Sequence, residues 1–382
     1  MFDLKTIEWF GTLETPFYYY DMQLLKKTLD IYTKELKKYD YLAHYAFKAN
    51  ANDKVLELIK SYGLGADCVS GNEVSLALKS GFDANKVVYA GVGKSDKEIV
   101  TALEGDIFSF NCESIPEIEV INEIAARMGK IASVSLRINP EVDAHTHKYI
   151  TTGTSQNKFG ISYWMFDQVI ETLKKCNNVN FAGLHFHVGS QITDYSVFEM
   201  LAIKVNEIVA TFKDKGMYVH NINLGGGLGI DYSDPVANPI PDFVSYFSII
   251  NKNLNREPGQ VIHFEPGRAI VGQCGSLISR VLYVKIGKGR KFAILDAGMN
   301  DLIRPALYEA SHKVQNLTSN GNPMSYDVVG PICESSDSFG ENVLLPLTER
   351  GNIMAIRSAG AYGQVMAMRY NQKDLAPEYY SE

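Results

Sequence analysis

Along the chain, short apolar runs alternate with stretches whose apolar residues recur every three or four positions. The runs, at 40–48, 64–69, 86–89, 106–111, 132–138, 179–187, 219–224 and 261–265, predict strands. The periodic stretches, at 53–62, 72–80, 96–103, 114–128, 163–176, 196–215 and 240–254, predict helices. Eight strands alternating with seven helices over about 250 residues match a (β/α)8 barrel, with a doubly wound open sheet as the competing topology. The fold class expected is therefore α/β. Upstream, the aromatic run Phe17-Tyr18-Tyr19-Tyr20 predicts a short strand, followed by Asp21 as the N-cap of a helix carrying Leu24, Leu25, Leu29, Tyr32 and Leu36.

After about residue 270 the period changes. Runs at 277–286, 292–295, 326–329, 343–347, 352–357 and 364–369 read as strands joined by Gly, Asn and Pro turns. The expected organisation is a barrel over 25–270 and a second, mostly β domain formed by 1–24 and 271–382. Residues 141–162 show no period, and long loops of that kind are often functional.

One residue breaks the first strand pattern. The run Asp40-Tyr41-Leu42-Ala43-His44-Tyr45-Ala46-Phe47 is aromatic and apolar, yet it ends in Lys48. Either the ammonium escapes to solvent over an apolar stem, or this is an amine whose desolvation leaves it neutral enough to attack a carbonyl. Barrel active sites lie at the C-terminal strand ends. Here those ends carry Lys48, Asp67, Asn111, Arg137, His185, His187, the run Gly225 to Gly229, and Glu265 to Arg268.

Composition narrows the function. In 382 residues, 46% hydrophobic and 21% charged content is that of an ordinary globular protein, and a net charge of −7 argues against nucleic acid or an anionic membrane as partner. The N-terminal stretch lacks a signal-peptide pattern, which points to the cytoplasm. Five scattered cysteines without CxxC spacing suggest neither a disulfide framework nor a zinc site, so no metal is expected.

Several short constellations carry candidate chemistry. Leu224-Gly225-Gly226-Gly227-Leu228-Gly229 follows the seventh strand, where this barrel class binds phosphate; a flexible turn is the plain alternative. The third position of a dinucleotide fingerprint is filled by Ile230. Glu265-Pro266-Gly267-Arg268 offers a carboxylate for a pyridinium nitrogen and a guanidinium fork, or simply an ion pair. His185 and His187 share a strand face and could bind metal. Alternatively one ring stacks on a planar cofactor while Ser190 donates to its phosphate, or both are core histidines. Loops dense in polar residues follow at Asp296 to Tyr308, at Gly330 to Asp337 around Cys333, and at Ala359-Gly360-Ala361-Tyr362-Gly363.

Taken in order, Tyr45-Ala46-Phe47-Lys48-Ala49-Asn50, His185-Phe186-His187-Val188-Gly189-Ser190, Gly225 to Gly229, Glu265-Pro266-Gly267-Arg268, Cys333-Glu334-Ser335 and Gly360-Ala361-Tyr362-Gly363 resemble the diaminopimelate decarboxylases. These are decarboxylases dependent on pyridoxal 5'-phosphate (PLP), built from an alanine-racemase-like barrel and a β domain. The resemblance spans about 15–371. It implies that Lys48 carries the cofactor covalently, His187 stacks on its ring, Ser190, Gly227 and Tyr362 contact its phosphate, and Glu265 faces the pyridine nitrogen. Asp67, Arg137, Gly267 and Arg268 complete the cofactor's surroundings.

The resemblance further implies that Arg268, Arg304, Tyr308 and Tyr362 hold the distal end of meso-diaminopimelate, with Glu334 reading its distal ammonium. Cys333 would come from the second subunit of a homodimer and is, with Lys48, a catalytic candidate. The implied activity is decarboxylation of meso-diaminopimelate to L-lysine, the last step of lysine biosynthesis. The tail from Tyr370 to Pro377 departs from the Arg-Pro-Ala-Glu run expected after the tyrosine motif. Rival readings are a decarboxylase of another basic amino acid, a metal-dependent hydrolase using His185 and His187, and a PLP carrier without catalysis.

Overall fold

In the computed structural model, residues 2–142 and 158–382 are described. Much of the loop at 141–162 therefore falls outside the described residues. The chain divides into two compact units, one comprising Leu29–Gly229 and Asp242–Gly267, the other Met1–Thr28, Ile230–Pro241 and Arg268–Glu382.

The first unit is a closed parallel barrel of eight strands, Tyr41–Ala46, Gly65–Cys68, Val87–Tyr89, Ser109–Cys112, Ala132–Arg137, Val179–His185, Asn221–Asn223 and Val261–Phe264. Closure is made by the first strand, which pairs with the second (Ala46 opposite Asp67) and with the eighth (Tyr41 opposite Ile262). This excludes the open sheet. Most strand residues are buried on both faces, as expected of a parallel sheet sheathed in helices. The helix Phe166–Lys175 shows how the sheath is written: Phe166, Val169, Ile170 and Leu173 fall on one stripe, and that stripe is buried. Helix starts are fixed locally, for example by Ser95 and Glu98 in a reciprocal capping box.

The other unit is an eight-stranded sheet with the path Val314–Asn316, Ile353–Ile356, Gly275–Ile286, Lys291–Leu295, Pro323–Val329, Ser338–Pro346. Phe17–Tyr20 adds antiparallel to the start of Gly275–Ile286, and Glu378–Tyr380 pairs parallel with Phe17–Tyr20. An N-terminal helix, Leu4–Thr12, capped by Asp3, buries Phe10 in a cluster with Phe17, Tyr19, Ile278, Ile353 and Ala355. That helix, the strand Val314–Asn316 and the short helix Arg304–Tyr308 have too few periodic positions to stand out in the sequence.

One expected strand is absent. Residues 364–369 form a 3-10 turn, Gln364–Met366, and then irregular chain. Tyr362 with φ of 55° turns the backbone away from an extended path, and Val365 is 41% exposed, so the apolar run never acquires a buried face.

Candidate active site

At the C-terminal rim of the barrel, Lys48 lies in a single 3-10 turn, Phe47–Ala49, directly after the first strand. Its Nζ is 3.0 Å from Oδ2 of Asp67, which lies one residue before the end of the neighbouring strand and is fully buried. The other Asp67 oxygen is also buried and has no hydrogen-bond partner among the described residues. Burial and the nearby Glu265 push the Asp67 pKa up, against the pull of Lys48. The Lys48 side chain is 36% exposed, yet its ammonium turns to a buried carboxylate and not to solvent alone.

Glu265, after the eighth strand, is held by three strand-end side chains. Asn111 Nδ2 and Asn223 Nδ2 donate to Oε1 at 3.1 and 2.7 Å, and His185 Nε2 meets Oε2 at 2.9 Å. Burial alone would raise its pKa, but His185, Lys48 and His187 hold it well below the ordinary carboxylate range. Glu265 is therefore a fixed negative charge in a buried site, with lone-pair capacity left on Oε2.

His185 and His187 serve different partners. His187 Nδ1 accepts the Gly226 N–H at 3.3 Å, and burial, with Arg137 and Lys48 nearby, drives its pKa far down. A neutral ring fixed in this way is a stacking surface. The glycine run is demanded by space: a Cβ on Gly226 would lie 2.2 Å from the Glu265 carbonyl, and Gly227 has φ of 111°. Ser190 is half-buried in the loop after the sixth strand. Arg137, near His187, also makes a buried 2.6 Å ion pair with Glu113, whose Oε2 accepts the Gly160 N–H. Gly267 is buried and follows Pro266, whose carbonyl accepts the Ala46 N–H.

A lysine, a buried unpartnered carboxylate oxygen, a persistent carboxylate, a neutral ring and a glycine cradle fit a flat phosphate-bearing pyridine aldehyde. Residues 22–272 match the family described as pyridoxal-dependent decarboxylase, pyridoxal binding domain. The chain is 56% identical over 377 residues to a diaminopimelate decarboxylase of Bacteroides thetaiotaomicron, covering 98% of each chain. The chain belongs to the diaminopimelate decarboxylase family.

Structures of family members agree. The Helicobacter pylori diaminopimelate decarboxylase complexed with L-lysine superposes with a TM-score of 0.92 at 39% identity, over 98% of this chain and 93% of that one. The enzyme from M. jannaschi gives 0.92 at 34% identity, over 98% and 89%.

Other predicted family residues lie in the sheet unit. Arg268 and Arg304 are both buried, and their guanidinium carbons lie 5.9 and 5.4 Å from the Tyr232 ring centroid. Arg304 also faces the Tyr308 ring at 5.8 Å, and Arg268 the Tyr362 ring at 4.8 Å. Cys333 is exposed, its N–H donating to Asn371 Oδ1, while the Glu334 carboxylate accepts the Tyr370 hydroxyl at 2.5 Å. Sequence reasoning missed Asn223, Glu113, Tyr232 and His312. Asn223 had a usable signal, since it stands at a strand end two residues before the glycine run.

Proposed function

We propose that this chain releases carbon dioxide from one end of meso-diaminopimelate to leave L-lysine, with Lys48 as the covalent anchor of PLP and Cys333 beside the reacting carbon. The observation that carries the reading is Lys48 aimed at buried Asp67 on the same rim as the ionised Glu265. PLP held there would supply an electron sink for the loss of a carboxylate. The buried charge of Glu265 would keep a proton on the cofactor's ring nitrogen, and the Asn111, Asn223 and His185 donors prevent that carboxylate from turning away. Asp67 holds Lys48 in reach, and the His187 ring fixes the plane. Ser190, Gly227 and Tyr362 take the phosphate; Asp67, Arg137, Gly267 and Arg268 are cofactor-site residues.

At the distal end, Arg268, Arg304, Tyr308 and Tyr362 hold a carboxylate and Glu334 an ammonium. Buried guanidiniums suit a carboxylate that a diamine-forming substrate lacks. Residues 25–270 act as the cofactor-binding barrel, and 1–24 with 271–382 as the β domain that completes the active site. Cys333 and Glu334 reach the partner's site in a homodimer, and the enzyme works in the cytoplasm.

Purified protein with PLP is expected to convert meso-diaminopimelate to L-lysine and carbon dioxide. Turnover of ornithine with none of diaminopimelate would refute the substrate assignment. Mixing Lys48→Ala with Cys333→Ala subunits is expected to restore part of the activity each lacks; no recovery would place Cys333 in its own subunit's site.

A further inference from the structure

The two arginines of the distal-carboxylate reading are not adjacent side chains with an empty space between them. Tyr232, three residues past the glycine run, stands within the same group. Its ring lies near both guanidinium carbons, and its hydroxyl oxygen accepts from Arg268 Nη1 at 2.5 Å. An oxygen that accepts that bond still has a hydrogen to donate, and no acceptor for it lies among the described residues.

The neighbouring side chains restrict what that hydrogen can find. His312 packs edge-on against the Tyr232 ring, with centroids 4.9 Å apart and an interplanar angle of 78°. Its Nδ1 lies 2.8 Å from the Arg357 carbonyl, and Nε2 is buried with no partner among the described residues. Burial and the nearby Arg304 keep this imidazole neutral, pushing its pKa down to about 3, so it adds no third positive charge. Arg304 Nε is likewise buried and has no partner among the described residues. The group thus offers two buried cations and one oriented O–H, all donors.

We propose that Tyr232 is a specificity-determining residue, donating its hydroxyl hydrogen to the substrate's distal carboxylate beside Arg304 while Arg268 fixes the hydroxyl's direction. The edge contact from His312 holds the ring in place, within reach of both guanidiniums. This rests on reading Arg268 and Arg304 as distal-carboxylate ligands, and it adds the group that orients the anion between them.

Tyr232→Phe in the holoenzyme keeps the ring and its packing and removes the hydroxyl. Two competitive inhibitors separate the effects: L-lysine retains the distal carboxylate, and cadaverine lacks it. The L-lysine inhibition constant is expected to rise about tenfold, as for loss of one hydrogen bond to a charged group, with cadaverine's unchanged and KM for meso-diaminopimelate rising more than kcat falls. An unchanged L-lysine constant, or equal weakening of both inhibitors, would overturn the proposal. Arg304→Gln tests the underlying reading: if it leaves L-lysine binding intact, the distal-carboxylate assignment itself is wrong, whereas weakened binding with a silent Tyr232→Phe condemns the tyrosine alone.

Discussion

At the mouth of the barrel, His185 meets a carboxylate: its Nε2 is 2.9 Å from Glu265, and Glu265 is held ionised. At the opposite end, His44 and His263 meet each other, Nε2 to Nδ1 at 3.0 Å. That pair is flanked by the Lys86 carbonyl at 2.9 Å and Asn221 Oδ1 at 3.0 Å, with the Phe108 ring stacked against both imidazoles. Burial lowers the His44 pKa, and burial with the facing His44 brings that of His263 down to about 3; Glu265 favours charge on both rings, against smaller opposition from Lys86 and His220, but does not overcome burial. The same ring, buried in the same barrel, therefore serves opposite ends. A facing carboxylate makes it part of a charged cluster, and a facing imidazole makes it a polar plug.

The comparison breaks most visibly at Lys48. Lys48→Ala is expected to reduce turnover to background and abolish the visible absorbance of bound cofactor, with thermal stability retained. Retained absorbance would remove Lys48 from its role. Next in size is Glu265→Gln, which keeps the shape but deletes the mouth's fixed negative charge. A kcat loss of about 10²-fold is expected, as for other buried electrostatic contributors. Unchanged kcat would show that the ring nitrogen needs no such partner.

Much of this mouth is legible in the sequence because apolar strands ending in polar residues are uncommon unless the polar group is used. Lys48, Asp67, His185 and Glu265 all announce themselves so. The plug is not legible: His44 and His263 lie within strand patterns, and only closure of the first strand on the eighth brings them together. Tyr232 and Arg304 are harder still, since a loop and a five-residue helix have no period to read. The strand expected at 364–369 failed for the converse reason, apolar residues in a run that no sheet buries.

Acid should separate the two ends further. Unfolded histidines take up protons below about pH 6.5, whereas burial holds the pKa of His44 below its ordinary value and that of His263 down to about 3. The unfolded chain then binds more protons, so stability falls as pH drops from about 6.5 toward 3, by about 1.4 kcal/mol per pH unit for each proton withheld. His312, with its pKa down to about 3, acts in the same direction, while Asp301, raised to about 6, acts in the other. Urea midpoints at pH 7 and pH 5 measure the difference. A wild-type fall between pH 7 and pH 5 no larger than that of His263→Leu would contradict the plug's depressed titration.

The smallest effect is the sharpest test of the division of labour. His263→Leu replaces the ring with an apolar side chain that fills much of its space, but leaves His44 Nε2 and Asn221 Oδ1 facing a group that cannot bond them. Leaving buried polar atoms unsatisfied costs about 1–3 kcal/mol, so a loss near the middle of that range is expected in urea unfolding at pH 7. The slope of stability between pH 7 and pH 5 should flatten at the same time, because one acid-sensitive group is gone. Turnover should hold within about twofold, since the N-terminal end of a barrel serves stability and not catalysis. If kcat instead fell with stability unchanged, the plug would be coupled to the mouth through the shared eighth strand, where His263 and Glu265 are two residues apart. The two ends could then no longer be treated as independent.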